Sequence, residues 1–559
     1  MLDKARLYAE TLRHLQPVQI YGRLLHKMRS RRLPAGETPA RRAITGPWHA
    51  PCRPPASLVG QRRVRLLNEE GSIEAARDWT ARDRSPLWAY TLHYFEDMVA
   101  EGAQTRRAWQ ADLIKHWLAG NPPLSQPAWA PYPLSLRIPN WIMASLDGWP
   151  LPEACVDSLA LQARALARSV EHHLQGNHVL ANAKGLIFAG LFFRGAEAGA
   201  WLDEGERLFL SQWRKQILSD GGHFERSAMY HAILLKDLLD VINLYGAYGR
   251  DVPVHWGPQA RDMLDWLSAM THPDGAIALF NDAAVDGAPS PSALAAYAAR
   301  LGIAAPDPAG GPGSVDLAAT GYVRMAFPSY TAFLDAAPVG PDHIPGHAHA
   351  DTLSFELSVG TTRVIVDGGT STYQDPEHRP RERSTAAHNT VELDGSDSSE
   401  VWAQFRVARR ARIMDRAVEI RETMVGVTAA HDGYARLPGS PVHTRTWVGT
   451  GQDLTITDRL TGVRGAKPVP VLRFHLDPRV QGNLDNRTLT VRGPDGTWLT
   501  DLVLDPGLSW TLEPALVARS FGIREHTSVL IGRGAPEDLP RTVTTRIRMT
   551  PAESDPSVA

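Results

Sequence analysis

The sequence predicts an α+β protein, with a helical N-terminal half and an antiparallel β-sheet half after it. Three observations carry this. From about residue 85 to 305, apolar residues recur at spacings of three and four, as in SLALQARALARSVEHHL and AILLKDLLDVINLYGAYG. That is the period of a helix with one buried face. From about 320 to 550, apolar and polar residues alternate, as in TLSFELSVGTTRVIVDGG and HTRTWVGTGQDLTITDRL, with β-branched side chains and breaks at Gly or Asp-Gly. That is the period of strands. Between the two, DPAGGPGSVDLAAT at 307–320 reads as a linker of small residues, Gly and Pro. A run of helices followed by a run of strands argues for separate domains.

At 559 residues the chain is too long for one core. We divide it into a basic N-terminal helix with an irregular linker (1–60), a helical domain (61–315) and a β domain (316–559). The first 33 residues hold eight Lys/Arg against two acids. A basic amphipathic helix here lies on the body of the protein, on a membrane or on another protein. Residues 34–60 are rich in Pro, Gly and Arg and read as an irregular connection.

Composition excludes several classes. With 43% hydrophobic and 21% charged residues the chain is not disordered, and its net charge of -2 argues against nucleic acid as a partner. No apolar run reaches the length of a transmembrane helix, and the N-terminus lacks the apolar core of a signal peptide. Cys52 and Cys155 are the only cysteines, so there is no disulfide framework. A cytoplasmic location is the expectation, with the periplasm as the alternative; a homodimer is compatible with all of this.

Three constellations could carry chemistry. In GNHVLANAKG (176–185), Asn177 and His178 sit at the edge of a helix and can face one cleft. In DGGHFERSAMYHAILLKDLLD (220–240), the Asp-Gly-Gly breaks the chain and a helix resumes near Met229. Tyr230 then lies near a helix start, where nearby cations would lower its pKa and make it usable as a base. The densest is DHIPGHAHADTLSFELSVGTTRVIVDGGTSTY (342–373). In an extended conformation His347, His349 and Asp351 share one face. Asp367 ends a strand, and RERSTAAHNTVELDG follows with Arg383, His388 and Asn389. Histidines and Asp brought together from neighbouring strands or loops are credible zinc or manganese ligands.

In this order, NH, ERS…YH, GHAHAD, VDGG and RST…HNT resemble the heparinase II/III-like polysaccharide lyases, over roughly residues 85 to 540. LWAYTLHYFED and WAPYPLSLRIPNW, ahead of the first motif, look similar to the same family. The resemblance implies an N-terminal (α/α) toroid joined to a C-terminal antiparallel β-sandwich, with the cleft between them. It implies a carbon–oxygen lyase that cuts a uronic-acid-containing polysaccharide by β-elimination. Glycosaminoglycans such as hyaluronan, chondroitin or heparan sulfate are the expected substrates, with alginate or a bacterial exopolysaccharide as the alternative. Asn177, His178, Tyr230 and His347 look like the catalytic residues, and His349, Asp367 and His388 like ligands of one divalent metal ion, zinc or manganese. Some relatives have NHxxE, but here that position is Ala181, so the role of that Glu does not carry over.

Arg137, Asn140, Trp141 and Arg226 are candidates for gripping an anionic sugar chain, since Arg forks onto carboxylate or sulfate and Trp stacks on sugar. A glycoside hydrolase would instead need two facing carboxylates; Glu225 and Asp282 are candidates, with nothing in the sequence to pair them. A polysaccharide-binding homologue without activity is the non-enzymatic alternative.

Overall fold

Local signals set the helix starts. Ser85, Ser227 and Ser290 each accept a hydrogen bond from the backbone N–H three residues on, at Trp88, Tyr230 and Ala293. This satisfies a donor that the first turn leaves unpaired. At Pro86 and Pro291 the fixed φ of proline and its missing N–H suit the first helical position. The computed structural model describes residues 2–28, 33, 34, 36–307 and 313–549. Residues 308–312 of the expected linker, 29–32 of the basic N-terminus and 550–559 lie outside the described residues.

The N-terminus forms two helices, α1 (Leu2–Leu12) and α2 (Pro17–Met28), where one was expected. A small sheet follows, of β1 (Leu58–Gly60), β2 (Arg63–Leu66) and β3 (Glu69–Ser72). The helical domain then runs through α3 (Pro86–Thr91), α4 (Arg107–Gly120), α5 (Pro131–Leu146), α6 (Glu153–Ser169), α7 (Gly176–Phe192), α8 (Ala196–Gln216), α9 (Ala228–Ala247), α10 (Trp256–Ala269) and α11 (Pro291–Arg300). α7 is apolar nearly all round and is buried along nearly its whole length, packed by α5, α6, α8 and α9. Glycine permits the closest of these approaches: a Cβ on Gly190 would lie 2.6 Å from the Leu202 backbone nitrogen of α8. Inside this core Lys184 is buried between Asp237 and Asp240, at 2.6 Å from each.

The β half begins with a five-stranded antiparallel sheet of β4 (Val315–Leu317), β5 (Tyr322–Ala326), β6 (Tyr330–Asp335), β7 (Phe355–Val359) and β8 (Thr362–Ile365). An eight-stranded sheet, among whose strands are Met424–His431, Val442–Thr450 and Asp453–Thr461, packs against it. Val323, Met325, Leu334 and Leu357 meet Val427, Trp447, Leu454 and Ile456 in one core, the arrangement of a β-sandwich. A four-stranded sheet joins Leu508–Ser520, Ile523–Gly534, Pro470–His475 and Val391–Leu393.

The two halves meet through buried polar contacts. Trp266 Nε1 donates to Thr320 Oγ1 at 3.0 Å, and the Leu279 N–H donates to Glu356 at 3.0 Å. His272 meets Glu356 at 2.5 Å and Ser358 at 2.7 Å. Such pairs fix the relative position of two domains because leaving any of these groups unpaired is costly. Among the described residues no helix is long and apolar enough to cross a membrane.

Candidate active site at the domain junction

Asn177 and His178 reach the junction because the chain turns sharply ahead of α7. Gln175 and Gly176 both have positive φ, at 65° and 57°. At Gly176 a Cβ would lie 2.8 Å from Glu225 Oε1, so glycine is what lets that carboxyl approach. A second sharp turn precedes α9. Arg226 has φ 59°, Ser227 caps the helix, and its hydroxyl donates to the Asp282 carbonyl at 2.6 Å. Tyr230 therefore stands in the first turn of α9. Its ring lies 4.0 Å from that of His347, and its hydroxyl is 2.8 Å from the hydroxyl of Tyr373.

His347 and His349 lie in a turn-rich segment, not in the extended strand expected from their spacing. They nevertheless converge on one group. His347 Nδ1 and His349 Nε2 each lie 2.8 Å from a different oxygen of Asp282. Arg379, from the short helix α12 (His378–Arg383), holds both oxygens of the same carboxylate. Burial alone would raise the Asp282 pKa. The Arg379 charge and the two histidine hydrogen bonds outweigh it and hold the carboxyl well below the usual range. Asp282 is thus an acceptor on both oxygens, and each histidine donates to it. His347 Nε2 is on the side of Glu225, 3.8 Å from its Oε2.

His178 has a carboxylate partner of its own. Its Nδ1 lies 3.2 Å from Glu171 Oε2, and Glu171 also accepts from Asn182. Burial would lower the His178 pKa, but the Glu171 charge and hydrogen bond raise it on balance. Position 181 is Ala, and the carboxylate on His178 comes from Glu171, seven residues before it. The His178 ring rests on Tyr132 at 4.5 Å, and 32% of its side chain is exposed.

Burial pushes the Tyr230 phenol well above its ordinary pKa, and Tyr373 and the Asp282 charge push the same way. This corrects the expectation that cations beside Tyr230 would lower it. Burial likewise raises the Glu225 carboxyl, against the opposing pull of His347 and His178.

The four expected substrate-gripping residues are corrected by their surroundings. Arg137 is fully buried, donating to Gln162 and the His93 carbonyl and stacking over Trp117. Trp141 is fully buried against Phe95 and Trp117. Asn140 donates to the Tyr94 carbonyl, and Arg226 to the carbonyls of Thr320 and Phe224. All four are packed and engaged inside the helical domain and its seam.

Asp367 and His388 lie behind His349. His388 Nδ1 is 2.8 Å from Asp367, and the His349 and His388 rings are 5.3 Å apart. His349 Nδ1 and His388 Nε2 are buried without a hydrogen-bond partner. Asp282 and Asp367 occupy the other ring nitrogens, so these two orphaned atoms are the positions at which a cation would bind. Burial, opposed by His388, leaves the Asp367 carboxyl raised to about 6. Among the described residues no three His, Cys, Asp or Glu side chains are already disposed around one point. The two orphaned nitrogens are what would favour a cation here; the three side chains are not gathered into a site.

Arg379, Glu171 and Tyr373 escaped the sequence reading, and Asp282 entered it only as a candidate hydrolase carboxylate. Asp282 follows Asn281, whose positive φ of 58° ends the apolar run IALF. An Asn-Asp pair at such a break is a signal that could have drawn attention to it.

A helical domain followed by an antiparallel sandwich, with Tyr230 against His347 at the seam, is the fold of the toroid-plus-sandwich polysaccharide lyases. The chain belongs to the heparinase II/III-like family: the heparinase II/III N-terminus matches residues 100–298, and the heparinase II/III-like C-terminal region matches 309–548. Among characterised proteins, FtsZ-localized protein C of Caulobacter vibrioides is 28% identical over 457 residues, 75% of each chain. Heparin-sulfate lyase of Bacteroides stercoris is 25% identical over 249 residues, 40% of this chain and 36% of that one. Heparinase III has the same fold, with a TM-score of 0.67 at 16% identity over 84% of this chain and 79% of its own.

Proposed function

We propose that the protein cleaves a uronic-acid-containing polysaccharide by β-elimination, leaving an unsaturated uronate end. The observation that carries this is the buried Tyr230 phenol lying against the His347 ring, 4.0 Å centroid to centroid. The reaction needs a base for the C5 proton, an acid for the leaving O4 and donors for the charge that builds on the carboxylate. His347 suits the base, because the ionised Asp282 keeps the proton on Nδ1. Tyr230 suits the acid, because its raised pKa keeps the phenol protonated. Asn177 supplies an amide, and His178, with its raised pKa, supplies positive charge for the uronate carboxylate. The same geometry disfavours a hydrolase: Asp282 is fully enclosed by Arg379, His347 and His349, so it cannot serve as one of two facing carboxylates.

His349, Asp367 and His388 would hold one divalent ion, zinc or manganese. The ion would fix the loops behind His347 by giving both orphaned nitrogens a partner. Metal analysis of the purified protein should find one ion per chain, lost in His349→Ala; metal-free wild-type protein would refute the site.

A second reading, a binding protein without activity, is favoured by the Caulobacter relative, which matches over three quarters of both chains and is named for its localisation with FtsZ. Incubation with hyaluronan, chondroitin, heparan sulfate, alginate and glucuronan, followed by ultraviolet absorbance of the new double bond, separates the two. Absorbance growing on at least one polymer supports the lyase. Binding to a polymer with no absorbance on any supports the second reading.

A further inference from the structure

α1 and α2 are both docked, yet α2 leaves its outer face uncovered. Arg6 of α1 pairs with Glu400 at 3.0 Å, and Tyr8 packs edge-on against Trp402 at 4.8 Å. From α2, the buried Gln19 donates to the His343 carbonyl at 2.9 Å. Gly22 sits against His173, where a Cβ would come within 3.1 Å. Gln19 and Gly22 therefore mark the inner face. At 100° per residue, Ile20, Tyr21, Leu24, Leu25 and Met28 fall together on the opposite one. They are 56%, 52%, 60%, 50% and 71% exposed. Among the described residues no other helix exposes more than two large apolar side chains. A stripe of five is beyond the scattered exposure that a water-facing helix ordinarily carries.

Charge identifies the occupant. From Arg23 to Arg32 the sequence holds Arg23, Lys27, Arg29, Arg31 and Arg32 with no acid, in a chain whose net charge is -2. We propose that α2 is an interfacial helix that seats the protein on an anionic lipid surface. Its apolar stripe enters the boundary between headgroups and acyl chains, and Arg23 with the basic residues that follow it in the sequence would meet the lipid phosphates. Twelve residues rise only about 18 Å, short of the roughly 30 Å hydrocarbon layer, so the helix lies in the surface plane. A second copy of this chain fits less well, because a two-fold contact would bring two equally basic helices together. The inner face of α2 touches His343 and His173, which lead into the segments carrying His347 and Asn177. Lipid binding would therefore bring the junction site close to the membrane surface. This inference stands apart from the proposed lyase activity.

The test is flotation of the full chain with vesicles of phosphatidylcholine alone or with about 30% phosphatidylglycerol, at low and high salt. The wild type should float with the anionic vesicles, not with the neutral ones, and less at high salt. The double variant Ile20→Glu/Leu24→Glu should lose at least about tenfold of this binding. Both positions are exposed, so its unfolding temperature should match the wild type. If it does not, Leu24→Ser with Leu25→Ser serves as the milder pair. Wild-type protein that stays unbound would overturn the proposal. So would a folded double variant that floats as well as wild type, or a wild-type dimer that the variant turns into monomer, since a second copy would then be what covers the stripe.

Discussion

Two clusters in this molecule are built from the same three residue types, and only one of them stands at a junction. Asp282 gathers His347, His349 and Arg379. Asp458 gathers His443 and Arg445, with His431 behind, at 2.6, 2.7 and 3.3 Å along the chain of contacts. In the second cluster the partners face one another on adjacent strands; Arg445 and Asp458 are register partners. Its side chains are 0–4% exposed, and Arg445 spends its remaining donor on the carbonyls of Leu353 and Asn389. In the first, residues far apart in sequence meet from both domains, and the His347 side chain keeps 14% of its surface. A histidine oriented by a carboxylate is therefore no sign of catalysis by itself. What separates the two clusters is an open edge with a second proton-bearing group, Tyr230, across it.

The largest expected difference is at that edge. Tyr230→Phe should lower double-bond formation by about 10²–10⁴-fold, the usual worth of a general acid, while losing only about 1 kcal/mol of stability with the Tyr373 hydrogen bond. Retained activity would remove Tyr230 from the mechanism. Asp282→Asn and Asp458→Asn form the next test. Each leaves a buried arginine without its counter-charge, so each should cost about 3–5 kcal/mol in denaturant unfolding. Turnover per folded molecule should fall only for Asp282→Asn, because only there does a histidine lose the partner that sets its tautomer. Equal losses of turnover in both variants would erase the distinction.

Acid unfolding gives a smaller effect with a defined sign. Burial would raise the Asp458 carboxyl, but the Arg445 charge and the His443 hydrogen bond hold it at about 2. An unfolded Asp titrates near 3.9, so this group contributes about 2–3 kcal/mol above that pH. The contribution is lost as pH falls from about 4 through 2. In Asp458→Asn the stability should change less steeply across that window; an unchanged slope would contradict the assignment. Smallest is Ser227→Ala, which removes the cap of α9 and the bond to the Asp282 carbonyl. It should cost about 1–2 kcal/mol in thermal unfolding.

Much of this comparison was legible in the sequence, but unevenly. Helices and strands were visible because their periods are local, and the GHAHAD and HNT motifs marked one wall of the site. Asp282 was visible only as a hydrolase candidate and Glu171 not at all, because their roles come from contacts across 65 and seven residues that no period encodes. Arg137 and Trp141 misled for a related reason. Their side chains suit a sugar as well as they suit each other's neighbours, and only burial decides. α1 and α2 were read as one helix, although Pro17, the first residue of α2, is a helix-start signal inside that basic run.

The most direct test of the central claim counts two products in one reaction. On the most responsive uronate polymer, new reducing ends and ultraviolet absorbance should be followed together in the wild type. β-Elimination predicts one unsaturated end for every new reducing end, with both lost in Tyr230→Phe. Reducing ends that accumulate without absorbance would contradict the account and mark a hydrolase.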